Sequence, residues 1–446
     1  MRTTLGRTLV LFNHDFDALA TRRLASEWPQ ATAGFDLFSS AGQWRLPFLN
    51  LERWARWLAL RARAQGWTAV VTSHEQFGIL TAALLAERMG WPCPSVQAVL
   101  ACQHKAYART VLQRVCPEAN VAHRVIDPRQ PHTLQGLSYP AFVKPVKAAF
   151  SVLAREVPNE AALLEHTRLS AWDRQVIRWL VAPVQRVVRQ RLPEAAPVEA
   201  LLAETPVHAQ QYNLDGYVYD GEVRRLGVVD AVMYPGTQAF MRFDYPSRLP
   251  PAVIEQATEV ARRFLTAIGF NQGLFNMEFF HDEATGHIKV IEFNPRMAAQ
   301  FSDLYERVDG LSLHAVAFAL AHGQDPIQWV RQSPTAGVAS SFVYRVFSPS
   351  RPHGPTPLQR QVLAAAYPDA ICLPLPASSA AMARDLKWMG SHRYGLLNLG
   401  GRDEDDLNRR CEFASHLLGW PAPLAGNLHT PNRIHSPTYS LLRKSP

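Results

Sequence analysis

Two carboxylates and an amide lie inside strand-like runs that otherwise read as core. Glu278 sits in Phe275-Asn276-Met277-Glu278-Phe279-Phe280, and Glu292 and Asn294 sit in Ile288-Lys289-Val290-Ile291-Glu292-Phe293-Asn294-Pro295-Arg296. A glutamate flanked by phenylalanine is costly to bury unless it is paired or holds a metal. The intervening His281-Asp282-Glu283-Ala284-Thr285-Gly286-His287 supplies turn residues, so the two runs read as a hairpin. In the simplest register Phe280 lies opposite Ile288. Glu278, Glu292 and Asn294 then share one face while Met277, Phe279, Ile291 and Phe293 line the other, an inference that a bulge would break. Such a donor set suits a hard cation that keeps waters and substrate phosphates as its remaining ligands, as Mg²⁺ does in phosphoryl-transfer sites. Arg296, just beyond the strand, is placed to meet an anion. The competing reading is a solvated strand face on which Arg296 is the ion-pair partner of Glu278 and Glu292, and the hairpin alone does not decide between them.

Glu278, together with Glu292-x-Asn294 followed by Pro295-Arg296, resembles the metal-binding signature of the ATP-grasp superfamily, which includes biotin carboxylase, D-alanine–D-alanine ligase and amino-acid ligases. The resemblance implies that Glu278, Glu292 and Asn294 hold magnesium, or manganese in its place, against the phosphates of ATP. It implies that Arg296 contacts phosphate or an acyl-phosphate intermediate. Upstream, Tyr139-Pro140-Ala141-Phe142-Val143-Lys144-Pro145 resembles the strand that ends in the family's phosphate-binding lysine. Lys105, in Gln103-His104-Lys105, stands where the family carries an earlier ATP-contacting lysine at a helix start. Leu201-Leu202-Ala203-Glu204 resembles the strand and hinge whose backbone and glutamate hold adenine and ribose. One departure stands out. The family usually follows its phosphate-binding lysine with a glycine-rich loop, whereas Val146-Lys147-Ala148-Ala149-Phe150-Ser151 contains no glycine. Ser151 and the small residues are left to cover the phosphates through backbone donors, and Lys147 either adds charge there or is solvated.

These residues need elements to position them, and at 446 residues the chain has room for about three domains. Thr8-Leu9-Val10-Leu11-Phe12 and Thr68-Ala69-Val70-Val71-Thr72 read as buried parallel strands, the second followed by a helix through Leu84-Leu85-Ala86. Polar residues follow both strands, where ligands bind in such sheets. His14, Asp15, His74 and Glu75 are therefore site candidates, against which capping and hydrogen-bonded core roles compete. The expected fold is α/β and α+β multidomain. The resemblance sorts it into a Rossmann-like α/β domain (1–103), an ATP-grasp core of two α+β subdomains, a small lid (104–205) and a central subdomain with the metal site (206–330), and a C-terminal domain packed on the core with a loose tail (331–446). Asp220-Gly221 reads as a hairpin turn. Arg242 could reach a phosphate or a carboxylate, with an ion pair to Asp244 as the simpler reading.

Composition excludes several other classes. The net charge is +8, and its densest patch, Arg174, Arg178, Arg186, Arg189 and Arg191, alternates at helical spacing with Ile177, Leu180, Val181, Val184 and Val188. That is the solvated face of an amphipathic helix, without the aromatic and glycine pattern of a nucleic-acid-binding sheet. No apolar run approaches the ~20 residues of a membrane helix, and the N-terminus lacks the pattern of a secretory signal. A cytoplasmic protein is expected, without membrane or nucleic-acid partners. The five cysteines are scattered and form no C-x-x-C pair, which argues against a disulfide framework and structural zinc. Taken with the resemblance, the expected activity is an ATP- and Mg²⁺-dependent ligation of a small carboxylate to a small amine through an acyl phosphate, in a superfamily where homodimers are common. The alternatives are a biotin-carboxylase-like enzyme that phosphorylates bicarbonate and a nucleotide-binding subunit without turnover.

Overall fold

The structure is a computed structural model that describes residues 6–13, 15–35, 45–147, 154–328, 333–350 and 353–424, without the side chains of Asp15 and Trp172. His14, Ser151 and the tail after residue 424 lie outside the described residues. Continuous apolar runs build a parallel sheet of β1 (Arg7–Leu11), β2 (Gln30–Ala33) and β3 (Trp67–Val71) in the order β2-β1-β3. Helices Leu51–Gln65 and Gly78–Met89 pack in its core. The first is started by the Asn50 side chain, which accepts from the Arg53 N–H, and stopped by Gly66 at φ +67°, the left-handed conformation that glycine adopts without a Cβ penalty.

A second, antiparallel sheet holds β4 (His123–Ile126), β5 (Ala141–Pro145), β6 (Arg155–Val157) and β7 (Leu201–Glu204) in the order β4-β7-β5-β6. Between β6 and β7 runs the arginine-rich helix Ala171–Arg191. Its Val181, Val184, Val187 and Val188 are buried against Leu51 and Leu84 of the first unit, while Arg174, Arg178, Arg186 and Arg189 are exposed. The basic patch is thus the solvated face that its periodicity requires.

The third sheet comprises β8 (Gln210–Tyr219), β9 (Glu222–Met233), β10 (Phe240–Tyr245), β11 (Gly273–Asp282), β12 (His287–Asn294), β13 (Val338–Val346), β14 (Ile371–Pro374) and β15 (His392–Gly401), ordered β12-β11-β8-β9-β10-β13-β15-β14. Asp220 and Gly221 both have positive φ between β8 and β9, as a tight hairpin turn requires. The C-terminal strands join the same sheet through β10 and β13, with Phe243 opposite Ser341, so β13, β14 and β15 extend the central sheet. One face is covered by helices Lys105–Val115 and Pro251–Ala267, where Phe264 stacks on Phe293 with ring centroids 3.9 Å apart. The other carries Leu304, Tyr305 and Leu313. Among the described residues no helix is long and apolar enough to cross a membrane.

The β11–β12 register corrects the simplest pairing. Phe280 lies opposite Lys289, and His281 opposite Ile288. That register, continued inward, would set Ile291 against Glu278 and send Glu292 to the apolar face. A bulge after Glu278 resets it: Phe279 pairs with Val290, but Glu278 pairs with Glu292 and Asn276 with Asn294. The bulge, which was expected to break the shared face, is what produces it. Ile291 is consequently the extra residue of the bulge, and Val290 takes its place opposite Phe279 in the core.

Candidate active site

At the edge of the large sheet Glu278 and Glu292 face each other across β11 and β12. Like charges directly opposed on a sheet repel, so this pair requires positive charge. Lys105 supplies part of it, with Nζ 2.8 Å from a Glu292 carboxylate oxygen. Glu292 is half-buried, which favours its neutral form, but the charge and hydrogen bond of Lys105 prevail and hold its carboxyl well below the usual range. Glu278 is pushed the other way by burial and then by Glu292. The Asn294 amide donates to Glu278 at 3.2 Å and to Asn276 Oδ1 at 3.3 Å, and Gln211 donates to the other Glu278 oxygen at 2.9 Å. Because Asn294 commits its N–H groups there, its Oδ1 remains available as an acceptor.

This donor set of two carboxylates and one amide oxygen fits a hard divalent cation that completes its shell with water and phosphate. Its unbalanced negative charge points the same way. Among the described residues no three His, Cys, Asp or Glu side chains converge as an all-protein metal cage.

The second sheet contributes the other end of the cleft. Lys144 on β5 has Nζ 2.8 Å from Glu204, at the end of β7, and Arg109 Nε lies 2.7 Å from the other Glu204 oxygen. Burial raises the Glu204 pKa, but the charges and hydrogen bonds of Arg109 and Lys144 outweigh it and bring the carboxyl to about 2. Both partners' pKa values fall, which favours the charged form of Glu204 but not of Lys144. Lys144 stays below its ordinary value because burial dominates, and because Arg109 competes for the one carboxylate and repels Lys144 along with Lys105. This end therefore holds more buried cations than anions, which suits phosphate.

Glu75, just after β3, closes the remaining side. It accepts from Arg296 Nε at 2.9 Å and lies 3.2 Å from Lys147 Nζ, while Gln103 donates to it at 2.8 Å. Burial opposes ionisation of Glu75, but Lys147 and Arg296 together hold its pKa down. Lys147 is therefore a buried ion-pair partner, which excludes the solvated one of its two readings. Glu75 belongs to the cleft, whereas His74 caps: its Nδ1 accepts from the Phe77 and Gly78 N–H groups at 3.3 Å. The Asp15 side chain and residues His14 and Ser151 are not described. Arg242 pairs with Asp244 at 2.9 Å, the simpler of its two readings.

The structure thus gathers Lys105, Lys144, Glu204, Glu278, Glu292, Asn294 and Arg296, joined by Glu75 and Lys147. Sequence reasoning missed Arg109 and a buried relay behind the carboxylates. Asn276 donates to Asp215 at 3.1 Å and the Tyr305 hydroxyl donates to it at 3.0 Å. The available signal was Asp215 and Asn276, polar residues within apolar strands, as with Glu278.

No family model matches the chain. The D-alanine–D-alanine ligase of Chlorobium luteolum is 28% identical over 214 residues, 44% of this chain and 54% of that enzyme, so the chain spans about half the length of the curated relative it matches. An L-amino acid ligase from Bacillus licheniformis superposes with a TM-score of 0.67 at 14% identity, covering 93% of this chain and 97% of that one. The ADP complex of N5-carboxyaminoimidazole synthetase from Staphylococcus aureus gives 0.61 at 13% identity over 93% and 98%. Biotin carboxylase from Campylobacter jejuni gives 0.58 at 14% identity over 93% and 92%.

Proposed function

From the premise that this chain has the ATP-grasp fold, we propose that it is an ADP-forming carboxylate–amine ligase that uses Mg²⁺-ATP. The observation that carries this reading is the opposition of Glu278 and Glu292 with Asn294 beside them, where Lys105 reaches Glu292 and Arg296 lies within electrostatic reach of both carboxylates. In this reading residues 104–205 form the lid, and the ligand lies between it and the sheet that begins at β8. A carboxylate oxygen of the first substrate attacks the terminal phosphorus of ATP, and the bond to the bridging oxygen breaks to release ADP. The amine nitrogen of the second substrate attacks the acyl carbon, the carbon–oxygen bond to phosphate breaks, and the nitrogen sheds a proton.

In-line phosphoryl transfer asks for positioning and charge balance more than for covalent participation by the protein. Glu278, Glu292 and Asn294 would hold magnesium, which when bound would neutralise phosphate charge. Lys105 and Lys144 present ammonium groups to phosphate oxygens, and Arg296, oriented by Glu75 through Nε and by the Met297 carbonyl through Nη1, offers its Nη2 to the transferred group. The relative with sequence similarity is, by its name, a ligase of D-alanine to D-alanine, which favours amide formation over bicarbonate chemistry.

The test is release of ADP and phosphate by the purified protein with Mg²⁺-ATP against panels of amino acids, other carboxylic acids, amines, and bicarbonate with biotin. Release that needs an acid and an amine together is expected, and Glu292→Gln abolishes it without unfolding the protein. Release driven by bicarbonate and biotin would replace this reading with the carboxylase one, and tight ATP binding without turnover would replace it with a nucleotide sensor.

A further inference from the structure

The bulge at Ile291 has a cost that one side chain meets. β12 is the edge strand of its sheet, so its outward carbonyls have no strand partner, and a buried carbonyl without one costs ~1–3 kcal/mol. Arg109 Nη1 donates to Val290 O at 2.7 Å and Nη2 to Ile291 O at 3.1 Å. The same guanidinium donates through Nε to Glu204, at the nucleotide end of the cleft, and through Nη1 to Asn120 Oδ1 at 3.3 Å. Asn120 returns a bond from Nδ2 to the Arg109 carbonyl at 3.1 Å. Arg109 is only 3% exposed. Its planar fork of donors matches two adjacent carbonyls and a carboxylate in a way a lysine ammonium cannot.

We propose that Arg109 is a positioning residue that couples the nucleotide end of the cleft to its metal-binding end, by bonding Glu204 and the Val290–Ile291 bulge with one rigid group. The bulge determines which face Glu292 presents, so whatever fixes Glu204 is transmitted to the Glu278–Glu292 pair. Lys144, which shares Glu204 and lies 3.5 Å from Ile291 O, makes a second, weaker tie along the same path. This inference rests on the ligase reading, because it requires nucleotide at Glu204 and Lys144 and a divalent cation at Glu278 and Glu292.

Coupling of this kind is reciprocal: each ligand must raise the affinity of the other by the same factor. The experiment is calorimetric titration of the full chain with ATP, with and without Mg²⁺, for the wild type, Arg109→Lys and Asn120→Ala. Hydrogen exchange across residues 288–294 without ligand serves as a second readout. The wild type is expected to bind ATP more tightly with Mg²⁺. Arg109→Lys keeps one bond to Glu204, loses the fork, and is expected to reduce the Mg²⁺-dependent gain at least tenfold with faster exchange at 291–293. Asn120→Ala removes the side chain that holds Nη1 beside Val290 O, is expected to loosen the fork and reduce the Mg²⁺-dependent gain by a smaller factor, and keeps the proposal testable if Arg109→Lys does not fold. An unchanged Mg²⁺-dependent gain in Arg109→Lys, with only a lower melting temperature, would show a structural clip and overturn the coupling. If Arg109→Lys is unfolded, an unchanged gain in Asn120→Ala overturns it instead. Failure of the wild type to bind ATP in either condition would overturn the functional reading, and the coupling with it.

Discussion

The two ends of the cleft bury carboxylates in opposite electrostatic settings. Glu204 lies between two cations, Arg109 and Lys144, whereas Glu278 lies against another carboxylate, accepts from the amides of Gln211 and Asn294, and feels Arg296 and Lys105 only through space. Burial opposes ionisation at both, and the neighbours decide the outcome: Glu204 is drawn down to about 2 while Glu278 is driven up. Cations are thus in excess at the Glu204 end, whereas two carboxylates face each other at the Glu278–Glu292 end. Stability and ligand requirement are divided between two glutamates a short distance apart in the same cleft.

Substitution at each end should separate these roles. Glu204→Gln leaves Arg109 and Lys144 buried without a carboxylate, and removal of one partner from a buried charge network typically costs ~3–5 kcal/mol. A large fall in the urea midpoint is expected. Glu278→Gln relieves the repulsion with Glu292 at the cost of one hydrogen bond, so its stability should stay within ~1 kcal/mol of wild type while Mg²⁺-dependent ATP turnover is lost. Equal destabilisation at the two positions would break the comparison.

Acid titration sharpens it further. The folded pKa of Glu204 lies below the unfolded value, near 4.5, so the folded state binds fewer protons between them. The stabilisation is complete above pH 4.5 and is lost as pH falls towards 2. The shift corresponds to about 3 kcal/mol. Denaturant midpoints between pH 5 and 3 should drop more steeply for wild type than for Glu204→Gln, and parallel curves would mean that Glu204 is not held by its two cations.

The metal end was the more legible because Glu278, Glu292 and Asn294 interrupt apolar runs, and a charge inside a core pattern must be explained locally. The bulge was not legible. Register is fixed by pairing between strands, and nothing in Val290-Ile291-Glu292 announces which residue is the extra one. Arg109 stands four residues after Lys105 on one helix, where it looks like any solvated arginine; its burial depends on β7 and β12 arriving from elsewhere in the chain. Glu75 was obscured for the same reason, since its partners Lys147 and Arg296 lie far along the sequence. The parallel sheet and the arginine-rich helix were readable because a strand run and a helical period are local patterns. The joining of β13 to β10 was not, since it pairs segments about a hundred residues apart.

The smallest effect belongs to the relay behind the metal end. Burial raises the carboxyl of Asp215 to about 7, although Asn276 and Tyr305 donate to it. A folded-state pKa above the unfolded value means that the native protein keeps a proton the unfolded chain has lost. Stability therefore declines as pH rises from about 4 through 7, and the cost is fully present above that range. Asn at this position keeps the shape and one acceptor but carries no charge, so the stability of Asp215→Asn relative to wild type should be greater at pH 8 than at pH 5 by about 2–3 kcal/mol. Because Asn276 and Asn294 take their amide orientation from this relay, the Asp215→Asn protein should also need more Mg²⁺ for half-maximal ATP turnover. A stability gain that is the same at pH 5 and pH 8 would mean that Asp215 is not held protonated by burial, and that the charge imbalance at this end stops at Glu278.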